Sequence, residues 1–254
     1  MIVRSGLFAA PVRHGFFTRE GGVSAGIFAS LNCSLSSGDD LAAIHENRRR
    51  AMAALGLGAE ALASVHQIHS PDVVTVEQPW PQGERPKADA MVTTRKGIAL
   101  GIVTADCAPV LFADERIGII GAAHAGWRGA VAGVLEATIA TMVALGADAR
   151  RISAAVGPCI AQTSYEVAAD LRDAVVAHAT LGETFFAPGR RPDRWQFDLS
   201  GYCAARLAAA GIGAIDVLAV DTLADEARFF SHRRRTLAGG GPIGHQISVI
   251  VRPG

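Results

Sequence analysis

The stretch from Ile98 to Gly129, IALGIVTADCAPVLFADERIGIIGAAHAGWRG, decides the reading of the chain. One apolar run, Ile98 to Val103, ends in Thr104-Ala105-Asp106-Cys107. A second, Ile117 to Ala123, ends in His124-Ala125-Gly126-Trp127-Arg128-Gly129. Each run has strand length and delivers reactive or small polar side chains where a rigid element stops, a common place for enzymes to hold them. Cys107 and His124 are seventeen residues apart, enough for one strand to leave and another to return beside it. The two side chains are therefore expected to meet.

Working outward, AVAGVLEATIATMVALG after Gly129 has the period of one amphipathic helix, stopped by Gly146. Its first turn would bring unpaired N–H groups to the His124–Arg128 loop as an anion site, or form a plain strand–helix junction. Upstream, Leu41, Ile44, Arg48, Met52 and Leu55 recur at helical spacing, with Asp39 or Asp40 as N-cap. Arg48, Arg49 and Arg50 cannot all face one way, so the run is either a solvated face or holds one functional arginine at its inner edge. His66 and His69 precede a strand at Val73–Val76, and the Pro after Ser70 argues against a helical two-histidine chelate. Residues 79–88 are a Pro-rich surface loop. Downstream, 150–160 read as a strand, Tyr165 opens a helix to about His178, and Ser200 can cap the helix holding Cys203. Phe229 to Arg235 reads as stacking aromatics beside arginines or as a strand end with a wet tip.

About ten strands and four helices, with hairpin-like returns such as 98–103 to 117–123, give an α+β class. The sheets are expected to be mixed and largely antiparallel, packed with flanking helices in a single domain over 1–254. No GxGxxG follows a strand, and no GxxxxGK[ST] occurs.

Half of the 254 residues are hydrophobic, enough for a large core. No apolar stretch reaches membrane-span length, and the N-terminus lacks a signal-peptide pattern. Zero net charge gives no field favouring nucleic acid or an acidic membrane. Lys87 and Lys96 are the only lysines, so anion recognition falls to arginine. Cys33, Cys107, Cys159 and Cys203 are scattered without a CxxC, which suits a reducing cytoplasm.

A Cys, a His and a nearby Asp permit Cys107 as a thiolate nucleophile with His124 as its base. They equally permit Cys107 and His124 as metal ligands, with His69 the best candidate for a third. Thiolate plus imidazole suits zinc with one open position; copper is the weaker expectation, since a type-1 site wants an axial donor such as Met. A purely structural set is the third reading.

Several motifs occur in order along nearly the whole chain. They are FFTREGGVSAGIFASLN (16–32), GDD (38–40), ENRR (46–49), QIHS (67–70), ADAMVTT (88–94) and TADCAPVLFAD (104–114). AAHAGWRG (122–129), VGPCI (156–160), SYEV (164–167), FDL (197–199) and FFSHRR (229–234) follow. On these motifs the chain resembles the purine nucleoside phosphorylases of the laccase-domain or polyphenol oxidase type, also called peptidoglycan editing factors. The resemblance implies one zinc on His69, Cys107 and His124, and a layered fold shared with toxin-type cysteine hydrolases. It implies phosphorolysis of adenosine, inosine, guanosine and methylthioadenosine, adenosine deamination, and for some members muropeptide quality control. The expected partners are purine nucleosides and inorganic phosphate, handled by a monomer or small homo-oligomer.

Arg48 and Arg128 are the choices for phosphate, and Asp106 for orienting a ligand, moving a proton or bracing its turn. The chain departs from the family pattern at Asp221-Thr222, where many members have Cys-Thr. It also departs at TLAGGGPIGHQ in place of Thr-Gly-Arg, and at His232 in place of Tyr. The competing readings are a cysteine hydrolase using Cys107 and His124, and a zinc-stabilised regulatory protein with Cys159 as a fourth ligand.

Overall fold

The computed structural model describes residues 2–81, 83–179 and 181–254; Gln82 of the surface loop lies outside them. The strands are β1 (Ile2–Val3), β2 (Arg13–Phe17), β3 (Leu62–Ala63), β4 (Val73–Thr75), β5 (Ala90–Thr93), β6 (Ala99–Thr104) and β7 (Ala108–Asp114). They continue with β8 (Ile119–Ala125), β9 (Ser153–Val156), β10 (Glu166–Val167), β11 (Phe186–Pro188), β12 (Trp195–Phe197), β13 (Ala214–Val217) and β14 (Gln246–Val251). The helices are α1 (Leu41–Ala53), α2 (Trp127–Ala132), α3 (Val134–Ala144), α4 (Ala169–His178), α5 (Leu199–Ala209) and α6 (His232–Leu237).

One sheet runs β1-β2-β14-β6-β3 and another β13-β9-β7-β8-β5-β4, with a small antiparallel β10-β12-β11 unit beside them. Pairing is antiparallel except at β3/β6, β4/β5 and β9/β13. The α+β class with mixed, mostly antiparallel sheets and flanking helices is thus the observed one.

Period-two alternation in strands buried on both faces builds the layers. In β7, Val110 and Phe112 enter a core shared with α3 and α5, while Leu111 and Ala113 enter the core between the two sheets. In β14, Ile250 faces that inter-sheet core, and Val249 and Val251 face α1 through Met52 and Leu55. The order is helix, sheet, sheet, helix.

The structure redraws the central stretch. The 98–103 run does not form a hairpin with 117–123: β6 pairs with β14 in one sheet, whereas β8 pairs with β7 in the other. The turn at 105–107 carries the chain from sheet to sheet. Pro109 interrupts the apolar run of β7, yet it sits opposite His124 and its carbonyl accepts from the Gly157 N–H at 2.8 Å.

The helix after Gly129 breaks at Gly133, whose φ of 97° lies in the left-handed region that glycine tolerates. Residues 166–167 are strand rather than helix, and Asp198, not Ser200, caps α5 by accepting from the Gly201 N–H. Asp40 caps α1, accepting from the Ala42 N–H at 3.0 Å. Residues 232–237 form α6 rather than a strand end.

Candidate metal centre

Cys107 ends the sheet-switching turn, and His124 lies near the end of β8. The register that places Ala108 opposite Ala125 brings their side chains together. His69 arrives from the loop before β4. The ligand atoms of His69, Cys107 and His124 lie within 4.8 Å of one another. The two imidazoles meet edge to face at 4.8 Å between centroids, and Cys107 Sγ is 4.0 Å from His69 Nε2. Gly126 makes the approach feasible: a Cβ there would fall 2.8 Å from His69 Cδ2 and 3.0 Å from Cys107 Sγ.

One carboxylate that sequence reasoning missed organises two of the three side chains. Asp89, fully buried just before β5, places Oδ1 2.8 Å from His124 Nδ1. Its Oδ2 accepts from the Ile68 N–H at 3.0 Å and the Ser70 N–H at 2.7 Å. Those amides flank His69, whose φ of 62° is left-handed and strained for a residue with a side chain. Asp89 therefore holds the His69 backbone and fixes His124 with Nδ1 engaged and Nε2 turned to the cluster. The sequence shows only an Asp directly before the short strand Ala-Met-Val-Thr, which by itself marks no role.

The electrostatics follow. Burial pushes the Cys107 thiol up, but His124 and His69 outweigh it and hold the thiol at about 6. Burial works against a charged His124, and Cys107 and Asp89 together raise it to about 9. The protein alone thus favours a thiolate beside an imidazolium; a metal would take the thiolate as it stands and would displace the proton from His124 Nε2. Two nitrogens and one thiolate sulfur converging in this way fit a transition metal.

A cavity of about 540 Å³ opens over the trio, with Trp127, Arg128, Tyr165, His232 and Arg233 on its wall. Arg128 lies 4.4 Å over the Trp127 ring and Arg233 5.4 Å from the Tyr165 ring centroid. Among the described residues neither guanidinium has a carboxylate partner. Burial raises the Tyr165 phenol, and nearby Cys107 raises it further.

Asp106, with φ of 86°, spends its carboxylate on the surrounding frame. It accepts from Thr222 Oγ1 (2.6 Å), Ser231 Oγ (2.9 Å) and the Arg233 N–H (2.6 Å). It ties the Cys107 turn to the start of α6 and so sets where Arg233 begins. Arg48 does not line this cavity. His66 lines it but stands outside the trio, and Cys159 is buried apart, so the trio gains no fourth ligand among the described residues.

The profile of the family described as multi-copper polyphenol oxidoreductase laccase matches residues 13–253. The chain belongs to this laccase family. A Deinococcus radiodurans relative named purine nucleoside phosphorylase is 43% identical over 244 residues, covering 95% of this chain and 90% of the relative. A Streptomyces griseus relative, also named a purine nucleoside phosphorylase, is 42% identical over 225 residues, covering 88% and 89%. A Neisseria meningitidis crystal structure superposes with a TM-score of 0.87 at 34% identity, covering 97% of this chain and 96% of that one. The Geobacillus stearothermophilus protein YlmD superposes with a TM-score of 0.87 at 30% identity, covering 96% and 93%.

Membership in the laccase family corrects the cofactor expectation. Zinc ranked above copper on the thiolate and imidazole donors, on the family resemblance, and on the want of an axial Met for copper. The family is described as a copper one, and two imidazoles with one thiolate are the trigonal donor set of copper sites, whose weak axial donor can be a backbone oxygen. The His69–Cys107–His124 set therefore points to a copper-type site. Among the described residues no helix is long and apolar enough to cross a membrane.

Proposed function

We propose that the protein is a metal-dependent purine nucleoside phosphorylase, acting on adenosine, inosine, guanosine and methylthioadenosine, with adenosine deamination as a secondary activity. The observation that carries this reading is a ligand trio at the floor of a cavity whose wall holds three arginines, Arg85, Arg128 and Arg233, without carboxylate partners among the described residues. Relatives named purine nucleoside phosphorylase at about two-fifths identity support it. His69, Cys107 and His124 would hold the metal, which when bound supplies Lewis-acid polarisation of a substrate oxygen.

The chain's own residues do the rest. Arg128 and Arg233 take the oxyanion by charge-assisted hydrogen bonds, and their ring partners hold the guanidinium planes in place. A phosphate oxygen bonds to ribose C1′ as the C1′–N9 bond breaks. The electron pair leaves with the purine, which takes up the proton that hydrogen phosphate gives up on becoming the sugar ester. Tyr165, whose phenol stays protonated, donates a hydrogen bond at the anion. Asp106 acts by positioning Arg233 rather than by touching substrate. All four cysteines are unpaired, which favours a reducing, cytoplasmic setting.

The test is turnover of inosine by metal-replete protein with and without inorganic phosphate. Phosphate-dependent release of hypoxanthine is expected; failure to turn over any purine nucleoside would overturn the reading.

A second reading has its own observation: Asp89, His124 and Cys107 stand in the order of an acid, base and thiol triad, with the thiol held at about 6. This is the cysteine-hydrolase alternative, to which the likeness to toxin-type hydrolases and a muropeptide substrate belong. It predicts inactivation by an alkylating reagent and indifference to chelation. The phosphorylase reading predicts that chelation abolishes turnover.

A further inference from the structure

A second cavity, of about 730 Å³, opens between α1, the turn Ala59–Ala61 and the loop that ends at Arg85. Arg48 projects into it from α1 and is 8% exposed. Its Nε donates to the Cys33 carbonyl at 2.9 Å and its Nη1 to Ser64 Oγ at 3.1 Å, both neutral acceptors. Arg85, half-buried on the facing loop, donates from Nη1 to the Val65 carbonyl at 3.2 Å. Among the described residues neither guanidinium has a carboxylate partner.

Among the described residues two carboxylates line the cavity: Glu46 is committed to Arg49 and Arg50, at 2.7 and 2.8 Å, and Glu60, exposed on the turn, forms no ion pair with Arg48 or Arg85. A buried cation without a counter-charge is costly, and a second cation facing it adds to the cost. Burial holds the Arg48 pKa down to about 10, and Arg85 pushes in the same direction. An oxyanion between the two would remove that cost, and planar guanidinium forks match its geometry. Arg85 also lines the metal cavity, so it stands in the wall between the two spaces. Trp80 gives the second cavity an aromatic side.

We propose that Arg48 and Arg85 form a second oxyanion site, outside the metal cavity, that takes inorganic phosphate or the phosphoryl group of a sugar phosphate. The site stands on these residues and does not depend on the phosphorylase reading.

The experiment is equilibrium dialysis of metal-loaded wild type, Arg85→Gln, Arg48→Gln and Arg128→Gln against labelled inorganic phosphate and, separately, labelled ribose 1-phosphate. The expected result is one class of anion binding that weakens about tenfold or more in Arg85→Gln and persists in Arg128→Gln. The arm in which that class appears identifies whether free phosphate or a sugar phosphate is the ligand. Arg85→Gln carries the test if Arg48→Gln does not fold, because Arg85 is only half-buried. Equal binding by Arg85→Gln and wild type overturns the site, as does absence of any anion binding at millimolar concentration. Loss in Arg128→Gln of a separate class reports on the phosphorylase reading alone.

Discussion

Replacing Asp89 by Asn tests the organisation of the metal centre with almost no change in shape. The carboxylate accepts three hydrogen bonds: from His124 Nδ1 at 2.8 Å, and from the Ile68 and Ser70 amides at 3.0 and 2.7 Å. An amide can satisfy them in one of two orientations. If its oxygen stays on His124, its NH₂ faces two buried N–H donors, each costing about 1–3 kcal/mol when left unsatisfied. If its oxygen stays on the two amides, its NH₂ donates to His124 Nδ1. That forces the proton onto Nε2 and removes the lone pair from the cluster.

The second orientation leaves no orphan donor in the backbone, so it wins, and the loss falls on the metal. Removing such a supporting partner lowers metal affinity roughly 10–100-fold, or about 1.4–2.7 kcal/mol. The assay is competition with a chromophoric chelator, alongside near-ultraviolet circular dichroism of the metal-free protein to show that the fold is retained. Metal affinity of Asp89→Asn within about twofold of wild type, in a folded protein, would refute the argument that Asp89 sets the His124 tautomer.

Four further outcomes follow from the geometry. Gly126→Ala places a Cβ 2.8 Å from His69 Cδ2 and 3.0 Å from Cys107 Sγ; the ligands are pushed apart, and chelator competition should show metal affinity reduced about tenfold or more. Arg233→Gln should lower kcat/KM for inosine at limiting phosphate by about 10–100-fold, through loss of one charge-assisted contact; an unchanged phosphate dependence removes Arg233 from the site. His14, 5% exposed, is held at about 4 against 6.5 by burial first and by Arg4, so the folded state binds fewer protons than the unfolded one between those values. Stability is therefore lost as pH falls from 6.5 towards 4. The loss should amount to about 2–3 kcal/mol by urea unfolding, and His14→Gln should flatten that slope while keeping an acceptor for the Ser5 N–H. Leu111→Ala opens a cavity between the sheets at a fully buried side chain and should cost about 2–5 kcal/mol of unfolding free energy.

The sequence by itself determined most elements and which donor side chains could meet. Continuous apolar runs at 98–103 and 117–123 read as strands because strands buried on both faces carry no polar alternation, and the strands are observed at 99–104 and 119–125. The Asp40 cap and the helical spacing behind it were equally local, and so was the delivery of Cys107 and His124 at strand ends. Tertiary structure alone decided which sheet each run joined, because pairing partners are chosen by packing and not by a strand's own composition. It put β6 and β8 in different sheets and turned Pro109 into part of a strand. It sent Arg48 to a cavity of its own and spent Asp106 on the frame around Arg233. Asp89 is the sharpest case. Nothing local marks it as the residue that holds two ligands, since its three donors come from the 68–70 loop and from β8, and only folding brings those segments to one buried carboxylate.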